Sequence, residues 1–255
     1  MKVIAITNLK GGTGKTAISV NLSVALQKMG KKILLVDLDA QGSASISLNE
    51  RADKNKVSIY EVLTGDYSIS DAITETAENI DIVSADERLN KIESEISIRQ
   101  ERGQIRNANA ILKKALASIK NKYDYVILDT PPALSFINSI VLTASDGVII
   151  PTKADYLSFD GYRHLESIID QIQKKENKEL KLLGVVLTFY NGRRAIDRAI
   201  EEQIDKKLLF KTKLTNACVI PEATLKGKSV ISYAPKSKAS EQFKDLAEET
   251  LKKLK

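Results

Sequence analysis

Residues 10–16 form a glycine-rich segment, Lys-Gly-Gly-Thr-Gly-Lys-Thr, with the composition of a polyphosphate-binding loop. Glycines let the backbone approach a ligand closely, so that successive N–H groups can surround phosphate oxygens. The Lys15 ammonium is suited to neutralising the β- and γ-phosphates, and the Thr16 hydroxyl to coordinating Mg²⁺. The sequence therefore predicts ATP and Mg²⁺ as cofactors. The predicted nucleotide-binding residues are Lys10, Gly11, Gly12, Thr13, Gly14, Lys15, Thr16 and Ala17.

The loop departs from the general pattern G-x-x-x-x-G-K-[ST] at its first position. That pattern has glycine where this chain has Leu9, and a second lysine, Lys10, follows. One use for an extra cation is to reach across a dimer interface and neutralise transition-state charge in the other copy's site, as an arginine finger does. We therefore expect an active site that a second copy of the chain completes.

Two carboxylates follow apolar runs elsewhere in the chain. Asp129 ends the run Tyr-Val-Ile-Leu, and a carboxylate there can hold Mg²⁺ through a water molecule. Asp39 ends the run that starts at Ile33, and it can orient the attacking water or help to hold the metal. Carboxylates at strand ends also cap helices, so convergence with the loop is what favours a role in the site. The predicted metal set is Thr16, Asp39 and Asp129, and the predicted catalytic set is Lys10, Lys15 and Asp39.

The elements that must position these residues alternate between two types. Near-continuous apolar runs predict buried strands at residues 3–7, 33–37, 80–83, 125–129, 147–151 and 182–188. Helical periodicity predicts helices at residues 16–29, 108–119 and 164–172. The alternation indicates a doubly wound α/β fold, with a mostly parallel sheet and helices on both faces. Ligands of such sheets bind beyond the carboxyl ends of the strands, where all three motifs lie.

Two further segments have helical character. Residues 90–104 are highly charged and predict a solvated helix. Residues 240–255 carry an apolar face, which predicts a helix that closes the core and leaves open a helix that binds a surface. The apolar face of this last helix consists of Phe243, Leu246, Ala247, Leu251 and Leu254.

The composition is that of a globular chain of 255 residues, 43% hydrophobic and 28% charged, with a formal net charge of +6. This length suits one large α/β domain, and we expect residues 1–255 to form a single one. The basic excess permits binding to nucleic acid or an anionic membrane surface, and it equally fits solvated lysines. The single cysteine, Cys218, excludes an internal disulfide, and no apolar run reaches the roughly 20 residues that span a bilayer. We expect a cytoplasmic protein.

Three motifs, in this order, resemble those of the ParA/MinD superfamily of deviant Walker A ATPases. Residues 10–16 match the superfamily's Lys-Gly-Gly-x-Gly-Lys-Thr, and residues 33–42 look like its second motif. Asp129-Thr130-Pro131-Pro132 looks like its Walker B motif and the switch that follows. Residues 58–65, 184–193 and 227–238 are similar to segments of the ParA branch, which includes the Soj-type proteins. The resemblance covers essentially the whole chain.

The resemblance implies a P-loop ATPase that acts as a DNA partition protein. In that family ATP drives a sandwich homodimer, the dimer binds DNA without sequence preference, and a centromere-binding ParB-type partner stimulates hydrolysis. Plasmid or chromosomal DNA is thereby segregated, and the ATP state associates with the nucleoid. By the same resemblance, Lys10 contacts the other copy's nucleotide and Asp39 supports hydrolysis. We expect neither an N-terminal helix-turn-helix domain nor stable membrane association.

The family binds DNA through a basic surface on the dimer. Arg193 matches the position of the family's arginine, and Arg194 lies beside it. Soj-type proteins carry further arginines near places where this chain has Asn216 and Val219. Nearby lysines can compensate, because phosphate contacts need charge rather than exact geometry. The predicted DNA-binding residues are Arg193, Arg194, Lys226, Lys228 and Lys236, with Lys238 beside them.

Three other functions are alternatives to DNA partition. A MinD-like membrane-associated positioning ATPase needs a free C-terminal helix with a basic polar face, whereas Glu241, Asp245, Glu248 and Glu249 make most of that face acidic here. A reductase of the nitrogenase iron-protein type needs more cysteines than Cys218 alone supplies. A metabolic ligase with the same fold stays an alternative.

Overall fold

Seven strands form one sheet in the computed structural model, which describes residues 1–52, 56–133 and 135–254. The strands lie in the order β3-β4-β2-β5-β1-β6-β7. All neighbouring pairs are parallel except β3 with β4. The strands are β1 (Lys2–Ile6), β2 (Ile33–Asp37), β3 (Ile73–Glu75), β4 (Asp81–Val83), β5 (Tyr125–Asp129), β6 (Gly147–Lys153) and β7 (Lys181–Thr188).

Helices cover both faces of this sheet. Alternate residues of β1 show the division, because Ile4 and Ile6 pack in one apolar cluster with α1 and α11 while Val3 and Ala5 pack in the other. This arrangement confirms the predicted doubly wound fold. The helices are α1 (Lys15–Lys28), α2 (Ser43–Ser47), α3 (Ile59–Thr64), α4 (Ile92–Glu101), α5 (Ile111–Ala117), α6 (Phe136–Ala144), α7 (Tyr156–Lys175), α8 (Ala195–Gln203), α9 (Val219–Leu225), α10 (Val230–Tyr233) and α11 (Lys238–Lys253).

The structure differs from the sequence-based prediction at three elements. Strand β3 was not predicted, since three residues that pair antiparallel at a sheet edge leave almost no apolar pattern. Helix α7 begins at Tyr156 rather than near residue 164. The charged segment 90–104 is not simply solvated, because Ile92 and Ile96 of α4 lie one turn apart and are both buried.

Helix α11 packs against α1 and closes the core, as its apolar face predicts. Phe243, Leu246 and Ala247 are buried in the same cluster as α1. Among the residues that the structure describes, no helix is both long and apolar enough to cross a membrane.

The free edge of β7 is covered by the segment 208–214. The Val185 N–H donates to the Leu208 carbonyl at 2.8 Å, and the Phe210 N–H donates back to the Val185 carbonyl at 2.9 Å. Gly184 makes this approach feasible, because its φ is +146° and a Cβ there would lie 2.0 Å from the Leu208 oxygen. A further bond, from the Leu214 N–H to the Leu187 carbonyl at 2.8 Å, extends this cover to the residue before Thr188.

Candidate functional site

The glycine-rich loop connects β1 to α1 at the carboxyl edge of the sheet, and neighbouring elements hold its backbone. Gly14 has a φ of +87°, which a glycine adopts without strain. The buried Asn8 side chain donates to the Pro151 carbonyl at 2.7 Å and accepts from the Lys10 N–H at 2.9 Å. The Thr188 hydroxyl donates to the Thr13 carbonyl at 2.9 Å. The ends of β6 and β7 therefore fix the loop from one side.

Lys15 lies at the first position of α1 and is buried, with 6% of its surface exposed. Its ammonium donates to the Lys10 carbonyl at 3.0 Å. Burial lowers the pKa of Lys15, and the nearby charges of Asp129 and Asp39 act in the opposite direction. An ammonium that donates to one carbonyl at a helix N-terminus, with the charges of two carboxylates nearby, is well placed to bind phosphate oxygens.

Asp129 ends β5 and is fully buried between two hydroxyl donors. Thr16 donates to its Oδ2 and Ser19 donates to its Oδ1, both at 2.8 Å. Burial, together with the adjacent charge of Asp37, raises the pKa of Asp129 to about 7. Ser19 was not predicted as part of the site, although its spacing of three from Thr16 puts both hydroxyls on one face of α1.

Asp37 ends β2 in register with Asp129 and supports the segment that carries Asp39. It accepts hydrogen bonds from the Ser45 N–H at 2.9 Å, the Ser45 hydroxyl at 2.7 Å and the Asp39 N–H at 3.1 Å. Burial raises the pKa of Asp37 to about 6. Asp39 itself is half-buried and accepts from the Gln41 N–H at 3.0 Å. The sequence analysis assigned a site role to Asp39 and did not identify the supporting role of Asp37.

The donor set fits Mg²⁺ bound together with a nucleotide. In the part of the chain that the structure describes, no three His, Cys, Asp or Glu side chains form a metal-binding group. A self-contained protein cage is thus missing there, whereas one carboxylate and one hydroxyl suit Mg²⁺, which keeps several waters and uses substrate phosphates as ligands. Since Thr16 directs its proton to Asp129, its oxygen lone pairs remain available to a cation.

Comparison with known proteins gives the family. The profile of a family described as an AAA domain matches residues 1–182. The sporulation initiation inhibitor protein Soj of Bacillus subtilis is 38% identical over 253 residues, with 97% of each chain covered. The chromosome partitioning protein ParA of Caulobacter vibrioides is 31% identical, over 98% of this chain and 94% of the relative. This chain belongs to the ParA/MinD superfamily.

Two solved structures of similar fold contain a nucleotide and magnesium. Cobyrinic acid a,c-diamide synthase of Mycobacterium smegmatis, with an ATP analogue and magnesium, has a TM-score of 0.83 and 29% identity. The match covers 97% of this chain and 93% of that one. MinD of Pyrococcus horikoshii OT3, complexed with Mg-ADP, has a TM-score of 0.79 and 29% identity over 97% and 95% of the two chains.

The basic residues predicted for DNA binding in this ParA/MinD protein lie on two separate segments. Arg193 is exposed after β7, and its guanidinium has no hydrogen-bond partner among the described residues. Arg194 is partly turned inward, because it donates to the buried carboxylate of Asp197. The predicted lysines beside α9 and α11 are all at least partly exposed; they are Lys226, Lys228, Lys236 and Lys238.

Proposed function

We propose that the chain is a ParA-type partition ATPase that hydrolyses ATP with water to ADP and phosphate. Its ATP state is a sandwich homodimer that binds DNA without sequence preference, and a ParB-type partner stimulates hydrolysis. Plasmid or chromosomal DNA is the cargo, and the ATP-bound protein associates with the nucleoid in the cytoplasm. Near full-length similarity to Soj and ParA supports this branch over others.

The observation that carries the proposal is that Lys10 has a fixed backbone and an ammonium without a partner among the described residues. Its backbone is fixed on both sides, since its N–H binds Asn8 and its carbonyl binds Lys15. In contrast, all of its hydrogen bonds to described residues are made by its backbone, and its ammonium makes none. A cation on a rigid loop beside the exposed Gly11 and Gly12 is available to a second copy. Lys10 thus completes the other copy's site.

Positioning and charge neutralisation carry the proposed catalysis. The loop N–H groups and Lys15 bind the phosphates, and Lys10 of the other copy adds positive charge as negative charge shifts to the leaving group. Mg²⁺, held through Thr16 and Asp129, supplies further neutralisation when bound. Asp39 orients the attacking water and helps to hold the metal; its position on the turn supported by Asp37 keeps it near Lys15.

The runner-up is a MinD-like ATPase that binds membranes through its C-terminal helix. The packing of α11 argues against it, because the face that would enter a membrane contains the buried Phe243, Leu246 and Ala247. Releasing that helix exposes the core around α1. Co-sedimentation with anionic vesicles in the presence of ATP should therefore show no recruitment.

A gel-shift with duplex DNA of arbitrary sequence tests the proposal. Wild-type protein should bind with ATP and much more weakly with ADP or no nucleotide. Arg193→Ala should lower affinity for unrelated sequences about equally, because phosphate contacts carry no sequence information. Glu202→Ala changes an exposed acidic residue on α8 and serves as the control. ATP-independent binding, no binding, or recruitment to vesicles would contradict the partition function.

A further inference from the structure

The segment 189–194 between β7 and α8, here called the arginine loop, is held from inside by Asp197. The Asp197 carboxylate is fully buried in the first turn of α8. Its Oδ2 accepts hydrogen bonds from the Asn191 N–H and from Arg194 Nε and Nη2, the last at 2.9 Å. The same Arg194 Nη2 donates to the Phe189 carbonyl at 3.0 Å. Arg194 therefore ties both ends of the loop to the helix.

The burial of Asp197 determines how firmly this arrangement is held. Its second oxygen, Oδ1, has no hydrogen-bond partner within the described residues. The carboxylate thus depends on the arginine loop for all of the hydrogen bonding seen there. Turning Arg194 outward to a phosphate would leave a buried carboxylate without its cation, which is strongly unfavourable. Arg194 has a structural use that competes with a DNA contact.

Arg198 has the opposite character. It is exposed one turn after Arg194 on α8, and it uses one donor, Nη1, on the Gly192 carbonyl at 2.8 Å. In the described part of the chain no carboxylate pairs with it. A guanidinium has five donors in a fork that fits a phosphate, so most of its capacity remains free. Arg193, on the same loop, uses only its backbone N–H, and its guanidinium has no partner among the described residues.

We propose that Arg194 and Asp197 form a strut that positions the arginine loop, and that Arg198 joins Arg193 as a direct contact to DNA phosphates. This inference rests on the proposed DNA binding and specifies which residues perform it. The strut also holds Phe189 immediately after Thr188, whose hydroxyl binds the phosphate loop. The arginine loop is thereby anchored to the strand that contacts the nucleotide site.

The salt dependence of DNA binding separates a contact from a strut. The plot of log K for DNA binding against log salt concentration has a negative slope. Its steepness decreases by about 0.9 for each phosphate that the protein no longer neutralises. With duplex DNA and a slowly hydrolysed ATP analogue, Arg193→Gln and Arg198→Gln should each lower the slope by about that amount per copy. Arg194→Gln and Asp197→Asn should weaken binding at every salt concentration and leave the slope unchanged.

Arg194→Lys provides the conservative control. A lysine keeps the charge that a phosphate contact needs but lacks the fork that joins Asp197 to Phe189, so it should behave like Arg194→Gln. Restoration of the wild-type slope and affinity by lysine, or an unchanged slope in Arg198→Gln, would overturn the assignment. Thermal melting identifies any variant that fails to fold, and the comparison of Arg194 with Arg198 stands without Asp197→Asn.

Hydrogen exchange tests the strut without DNA. Arg194→Gln should accelerate exchange of the amides in residues 189–194, whereas Arg198→Gln should change them much less. If the amides of residues 189–194 are equally protected from exchange in Arg194→Gln and Arg198→Gln, the strut is contradicted. Wild-type protein that shows no ATP-dependent DNA binding would contradict the proposed function instead, and the exchange result would still decide whether Arg194 holds the loop.

Discussion

At the scale of residues, the site is organised around buried carboxylates. Asp129 and Asp37 lie side by side on neighbouring strands, and burial raises the pKa of both. The hydroxyls of Thr16, Ser19 and Ser45 stabilise them. Lys15 is the cation that both Asp129 and Asp39 favour. The site thus gathers carboxylates whose negative charge a magnesium ion would neutralise.

This pair predicts a pH dependence of folding stability. With pKa values raised to about 6 and about 7, the folded protein binds more protons than the unfolded chain between about pH 4 and pH 7. Their contribution to the free energy of unfolding is therefore full below about pH 4 and disappears as the pH rises to about 7. Urea unfolding of wild type and Asp129→Asn at a series of pH values measures it.

As the pH increases, the free energy of unfolding of wild type should fall relative to that of Asp129→Asn, because asparagine does not ionise. Titrating groups remote from this site are common to both proteins and cancel in the difference. A difference that stays constant from about pH 4 to about pH 7 would show that Asp129 titrates at its ordinary value.

At the scale of elements, strand β7 connects the nucleotide site, the covered sheet edge and the arginine loop. Its last residue binds the phosphate loop, and Val185 pairs with the segment that covers the edge. The pairing at Val185 requires glycine at position 184, because a Cβ there would lie 2.0 Å from the Leu208 oxygen. A substitution at Gly184 should therefore disturb β7, whose last residue, Thr188, binds the phosphate loop.

Gly184→Ala should destabilise the fold by about 3 kcal/mol or more, because overpacking and backbone strain each cost about 1–3 kcal/mol. Urea unfolding followed by circular dichroism measures this change. Gly103→Ala is the matched control, since that glycine also has a positive φ but open space around it. If the two variants are equally destabilised, the close approach of Leu208 is not what requires glycine.

The sequence was sufficient for the elements that bury continuous apolar runs and for the loop between β1 and α1. It was insufficient where the deciding contact lies outside the residue's own strand or helix. Strand β3 exists because β4 offers it an edge, and Asp197 matters because Arg194 and Asn191 turn back to it. Ser19 could have been found from its helical spacing. The partner of Gly184 could not, since Leu208 lies 24 positions further along the chain.

At the scale of the whole molecule, the proposed ATP-dependent switch is a change between monomer and dimer. The phosphate loop and the turn that carries Asp39 lie at the same edge of the sheet, where the exposed Gly11 and Gly12 also lie. The unengaged Lys10 ammonium is located there too. Nucleotide and second copy are thus proposed to meet at one surface.

Asp39→Ala should bind ATP, fail to hydrolyse it and remain a dimer, so that light scattering gives twice the 28.1 kDa mass of one chain. Lys10→Ala should bind ATP and stay at the mass of one chain. Lys15→Ala should lose ATP binding itself, which a fluorescent nucleotide detects. Normal hydrolysis by Asp39→Ala, or a stable ATP dimer of Lys10→Ala, would contradict the assigned roles.

The covered edge of β7 also limits the assemblies that the protein can form at high concentration. An open strand edge acts as a template on which further chains add and fibres grow. Here residues 208–210 occupy the edge at β7, and the opposite edge is the three-residue β3. At the high local concentration that the proposed nucleoid association implies, these molecules therefore have little opportunity to polymerise through their sheets. A two-fold association through the nucleotide face ends at a pair.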